Sequence, residues 1–106
     1  MAKPGDLLVA LVERFRPEEA DGFSAIYQLN LNGDGGGTWY LSVADRQCSL
    51  DTGVSSHPDV TITMSAQDWV DLLSGKLDGY TAFFQGRVDV QGDLALVLRL
   101  QEIFGF

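Results

Sequence analysis

Cysteine, histidine and basic side chains are the scarce residues of this chain of 106. There is one cysteine, Cys48, and one histidine, His57. A lone cysteine excludes an intrachain disulfide and points to a reducing compartment. A metal centre wants clustered His, Cys, Asp or Glu. Cys48 and His57, separated by the run Ser49 to Ser56, do not supply one. As a Cys–His nucleophile pair they are formally available. However, Cys48 alternates inward on a strand, where a thiol is usually inert packing. His57 sits in the loop TGVSSHP with no catalytic pattern beside it. A nucleophile elbow, a phosphate-binding P-loop and a dinucleotide fingerprint are also missing. No enzymatic activity, metal site or cofactor is expected.

Lys and Arg number 7 against 15 Asp and Glu, a formal net charge of -8. The seven basic residues are scattered in sequence, although a local basic patch stays open. The acidic balance weighs against nucleic acid as a partner, so none is expected, and against firm docking on anionic lipid surfaces. The apolar runs all fall short of the ~20 residues that span a bilayer. The N-terminal MAKPGDLLVALVERF reads as a helix and not as a signal peptide. The C-terminal QEIFGF carries no peroxisomal or retention signal, so the cytoplasm is the expected location. With 45% hydrophobic and 21% charged residues, the chain is too apolar to be disordered. Its length suits one domain, residues 1–106, with a core of its own.

The order of elements follows from periodicity. Lys3 to Phe15 is a helix, with Pro4 and Gly5 at its start and Asp6 as a cap. Its apolar face is Leu8, Leu11, Val12 and Phe15, widened by Leu7 and Val9. Pro17 ends it, and Pro17 to Asp21 is one further turn. Phe23 to Leu31 alternates as a half-buried strand, with Gln28 and Asn30 on the outer side. NGDGGG, Asn32 to Gly37, is a hairpin tip. Strands follow at Thr38 to Ala44 and Gln47 to Asp51, joined by a turn at Asp45 and Arg46. A fourth strand spans Asp59 to Met64. Ser65 caps a helix carrying Trp69, Leu72 and Leu73, and a short helix covers Leu77 to Phe84. A fifth strand is Arg87 to Gln91, and Asp93 caps a last helix, Leu94 to Phe104. The fold class is α+β in two layers: a five-stranded, mostly antiparallel sheet with helices on one face.

The last helix is unusual. Leu94, Ala95, Leu96, Val97, Leu98, Leu100, Ile103 and Phe104 surround almost its whole circumference. A surface helix normally carries one apolar stripe. One partner for this helix is the sheet. The other is a bound ligand, a second subunit or a membrane. Inward sheet residues, Trp39, Leu41, Val60, Ile62, Met64, Val88 and Val90, face helix residues Trp69, Leu72, Leu73, Phe83, Phe84, Leu96, Leu100 and Phe104. Either they wall an apolar pocket or they close on one another. Periodicity alone favours the ordinary core.

The chain resembles the sterol carrier protein 2 family in DVTITM from Asp59, SGKL at Ser74 to Leu77, AFFQGRV at Ala82 to Val88, the Gly92–Asp93 junction and RLQ at Arg99 to Gln101. TWYLSV and its glycine-rich hairpin resemble the family's first strands. The resemblance covers nearly the whole chain and is to a small, stand-alone member of prokaryotic type. It implies five strands with helices over one face. It also implies a non-catalytic carrier whose apolar tunnel takes fatty acid, fatty acyl-CoA, phospholipid or sterol. The family's peroxisomal signal and more basic surface are missing here. On this reading the ligand lies against the residues just named, with Gln85 and Gln101 as polar groups near it. The expected partner is a lipid or other apolar small molecule. A transient membrane contact, and an accessory or homodimerising module without a transported ligand, stay open as alternatives.

Overall fold

The computed structural model describes residues 4–105, without the side chains of residues 4–7 and 10. Three expectations fall outside the described residues: a start at Lys3, a cap from the Asp6 side chain, and a place for Leu7 on the apolar face.

Helix α1 runs Pro4–Glu13 and buries Leu8 and Leu11, with Val12 half-buried beside them. Val9 is exposed, because its 100° step from Leu8 carries it off that face. The chain then unwinds, and a 3-10 turn forms at Pro17–Ala20, where proline's fixed φ suits the first position. Phe15 lies beyond the end of α1, with its ring 5.5 Å from that of Phe104.

The strands are β1 (Ala25–Asn32), β2 (Gly37–Ala44), β3 (Gln47–Thr52), β4 (Val60–Ser65) and β5 (Val88–Gly92), in the sheet order β3-β2-β1-β4-β5. Three of the four pairings are antiparallel. The exception is β1 with β4, a parallel pair that aligns Leu29 with Ile62 and Leu31 with Met64. The β1–β2 turn uses Gly33 and Gly35 at φ +88° and +76°, a region that glycine enters without steric cost. Asp45 and Arg46, at φ 53° and 60°, make the tight β2–β3 turn whose twist suits a hairpin.

The helices after β4 are α2 (Ala66–Leu73), α3 (Gly79–Phe84) and α4 (Leu94–Phe104). Each begins on a capping side chain. Ser65 Oγ accepts from the Asp68 N–H at 3.0 Å, Asp78 Oδ2 from the Thr81 N–H at 3.0 Å, and Asp93 Oδ1 from the Ala95 N–H at 2.9 Å. Arg87 reaches back from the start of β5 to Asp68 at 2.7 Å, tying the first turn of α2 to the last strand.

Two further features depart from the pattern in the sequence. The short helix starts at Gly79 and not at Leu77, because Asp78 takes the cap. Gln28, expected on the solvent side of β1, is buried at 2% exposure. The stretch after β3 folds over it. Gln28 Nε2 lies 3.1 Å from the carbonyl oxygens of Trp39 and Gly53, and its Oε1 accepts the Ser55 N–H at 2.8 Å. The amide is satisfied by backbone groups, so the burial is tolerable.

Tyr27 is the largest core side chain on β1, fully buried, and its hydroxyl donates to the Leu96 carbonyl of α4 at 2.7 Å. Burial pushes its phenol well above the ordinary value, although Arg99 acts in the opposite direction. The unfolded chain therefore loses this proton first. The stability that Tyr27 contributes is complete below about pH 10 and is lost as pH rises above it. Replacing Tyr27 by Phe should cost about 1 kcal/mol at neutral pH. Above about pH 10 its stability should also fall less steeply than that of the parent. Urea unfolding measured from pH 7 to 11, values chosen to bracket the ordinary tyrosine range of about 10, checks both.

Candidate functional site

One edge of the sheet is not closed by its own helices. Ile62 and Met64 of β4, with Val88 and Val90 of β5, form a floor. Alternation along the two strands puts these four on the helix side, and the pairings Ile62–Val90 and Met64–Val88 set them side by side. Trp69 and Leu72 of α2 make one wall. Tyr80, Phe83 and Phe84 of α3 and Leu94, Val97, Leu98 and Leu100 of α4 make the rest. Together they enclose a cavity of about 220 Å³ whose surface is almost wholly apolar.

The two faces of α4 explain the cavity. Leu96, Leu100, Ile103 and Phe104 recur at helical spacing and pack into the core. Leu94, Val97, Leu98 and Gln101 recur at the same spacing on a second face, turned to the cavity. The remaining face carries Arg99 and Glu102, an ion pair at 2.8 Å. The apolar circumference seen in the sequence is thus two overlapping stripes, one toward the core and one toward the cavity, with Val97 and Leu100 touching both.

The cavity's rim is aromatic and wet. Phe84 is 82% exposed, Tyr80 60% and Phe83 41%, and the two phenylalanine rings meet edge to face at 5.9 Å. Phe84 in particular gains almost nothing from the fold as it stands, since burial is what makes a large aromatic stabilising. Polar groups are few. Gln101 enters from α4, and its Nε2 lies where a Cβ on Gly79 would stand, at 2.7 Å. A side chain at position 79 would displace that amide. The Trp69 indole N–H is buried and has no acceptor among the described residues.

Ile62, Met64, Trp69, Leu72, Phe83, Phe84, Leu100 and Gln101 meet at this cavity. Trp39 and Leu41 do not, because β2 lies two strands from β4. Val60, Leu73 and Phe104 are buried in the core cluster, and half-buried Leu96 packs against it. Gln85 is exposed and receives a hydrogen bond from Arg87 at 3.2 Å. Gly79, Tyr80, Leu94, Val97 and Leu98 line the cavity without having been singled out as ligand residues from the sequence. For the α4 residues a signal existed: the spacing 94, 97, 98, 101 is that of a single helix face. Cys48 is half-buried, and burial raises its thiol above the ordinary range. Among the described residues no three His, Cys, Asp or Glu come together as metal ligands. No helix among them is long and apolar enough to cross a membrane.

This layered sheet with a helix-roofed apolar cavity defines a small α+β binding-domain class. Residues 8–105 match the model of the SCP-2 sterol transfer family, and the chain belongs to that family. It is 36% identical over 80 residues to hydroxysteroid dehydrogenase-like protein 2 of Bos taurus, an alignment that covers 74% of this chain and 19% of the relative. The chain therefore spans about a fifth of the length of the curated relatives it matches. Among solved structures, palmitated SCP2L2 from Aedes aegypti superposes with a TM-score of 0.78 at 26% identity, covering 97% of this chain and 92% of that one. The sec-alkylsulfatase Pisa1 from Pseudomonas sp. contains the same fold (TM-score 0.80, 24% identity), with 98% of this chain and 16% of that one aligned.

The two-stripe description of α4 makes a stability contrast. Leu100, 2% exposed, should cost about 2–4 kcal/mol when cut to alanine. Leu98, 42% exposed at the cavity, should cost about 1 kcal/mol or less. Guanidinium unfolding of the two variants measures the difference.

Proposed function

We propose that residues 1–106 form one lipid-binding unit that acts without catalysis, holding a fatty acid, fatty acyl-CoA or sterol-like molecule between the sheet and helices α3 and α4. The observation that carries this reading is the apolar cavity of about 220 Å³, bounded by Ile62, Met64, Val88 and Val90 below and by α3 and α4 above. An acyl chain entering it leaves water at a gain of about 0.8 kcal/mol per methylene, before the losses of association. The same chain would cover Phe83 and Leu98, which are partly exposed without it. The palmitated Aedes aegypti relative, 26% identical across 97% of this chain, supports the choice of ligand class. Carriage through the cytoplasm is the corresponding role.

A second reading has its own observation. The matched relatives hold this domain as about a fifth of a longer protein, and the α3–α4 rim leaves Phe84 and Tyr80 in water. On that reading the domain is an accessory module that docks on a partner or on a second copy. Sedimentation of the pure protein separates the two: a stable dimer that takes up no lipid favours the module.

Titration with a fluorescent fatty acid should saturate at micromolar protein and perturb emission from Trp69, whose ring borders the cavity. Val97→Trp, which fills the cavity, should weaken binding at least tenfold. Cys48→Ser and His57→Ala should leave it unchanged. Absence of saturable binding by the parent protein would sink the carrier reading.

A further inference from the structure

The apolar cavity has a direction. Phe84, Tyr80, Leu94 and Leu98 line it and are exposed, so they mark its mouth between α3 and α4. Ile62, Met64, Trp69 and Leu100 line it as well, and each is at most 4% exposed, so they mark its inner end. To one side, Leu72, Gly79, Tyr80 and Gln101 form a collar between the cavity and a polar hollow lined by Arg14, Ser74 and Asp78. A hydrocarbon gains by leaving water for apolar walls and gains little in a polar hollow. The reach open to a tail is therefore set between the mouth and the inner end.

That reach is short. An apolar cavity of roughly 150 Å³ holds one benzene ring, about 25 Å³ per carbon. By the same measure a cavity of about 220 Å³ holds about nine carbons. A hexadecanoyl tail and a sterol ring system both exceed it. Trp69 is the bulkiest of the four inner residues. It belongs to the buried core cluster, where close packing holds it in place, whereas the exposed rim side chains are free to move aside. Its indole N–H is buried with no acceptor among the described residues, and an unpaired buried donor is unfavourable. Phenylalanine or leucine would fill the core without that penalty. What the tryptophan adds is bulk at the closed end of the cavity. We infer that Trp69 is a stop that sets the length of the tail, and that the ligand is of the medium-chain class, with an aliphatic tail or compact ring of about nine carbons seated in the cavity. The inference rests on the lipid-binding reading above. It narrows that reading toward medium-chain tails and away from long chains and sterols.

Straight-chain carboxylates of increasing length test it: hexanoate, octanoate, decanoate, dodecanoate and tetradecanoate, each titrated by calorimetry. Affinity for the parent protein should rise about fourfold per added methylene up to about ten carbons and then level off. Trp69→Leu should move the levelling-off point upward by about two carbons or more. Trp69→Phe keeps an aromatic ring in the core and removes the unpaired N–H. It should move that point in the same direction by less, and it carries the test if Trp69→Leu fails to fold; urea unfolding verifies both variants. A levelling-off point that stays in place in a folded Trp69 variant overturns the stop. A rise that continues at the same slope through tetradecanoate overturns the size limit. Either result leaves the lipid-binding reading standing, whereas failure of all five to bind overturns that reading as well.

Discussion

The hydrogen bond from the Tyr27 hydroxyl to the Leu96 carbonyl fixes the height of α4 above the sheet. It joins residues 69 positions apart and is partly buried, with the Tyr27 side chain itself in the core. Tyr27 stands on β1, the central strand, so the tie pins the helix over the middle of the sheet. Beyond it, toward β5, the strand side chains under the roof are shorter. Val88 and Val90 are short side chains, and α3 is only six residues long. A tall tyrosine at the centre and short valines at the edge leave a gap under the roof, and that gap is the cavity.

Stability and the candidate site are separated along the same helix. The C-terminal half of α4 is buried through Leu100, Ile103 and Phe104, and Phe104 packs on Phe15. The N-terminal half turns Leu94 and Leu98 to a space not filled by protein. Core and cavity share Ile62, Met64, Trp69 and Leu100, so the cavity is an open margin of the core. The capping side chains Asp78 and Asp93 serve that arrangement, because each lets a helix of the roof start abruptly after an exposed loop.

The element order was legible because it rests on local rules. Alternation gave the strands. Serine and aspartate caps gave the starts of α2 and α4, and positive-φ turn residues gave the hairpins. The surplus of apolar residues on α4 was visible too. The site was legible only in part. Ile62 and Trp39 have the same alternating character in the sequence, yet Ile62 floors the cavity and Trp39 lies on the far half of the sheet. Strand order separates them, and no local signal encodes it. Gln85 and Gln101 likewise look equivalent as residues near a ligand. Arg87 holds one in solvent, and the close approach of Gly79 places the other in the collar.

What the amino-acid sequence determined alone was the class of fold, the order of its elements and the presence of more apolar helix surface than one core stripe needs. These follow from interactions between residues a few positions apart, whose spacing is written in the chain. Which of those apolar residues close on one another and which surround empty space was decided by tertiary structure. That outcome depends on the parallel pairing of β1 with β4 and on the height at which Tyr27 holds α4. Both bring together residues distant in the chain, and such contacts leave no periodic trace.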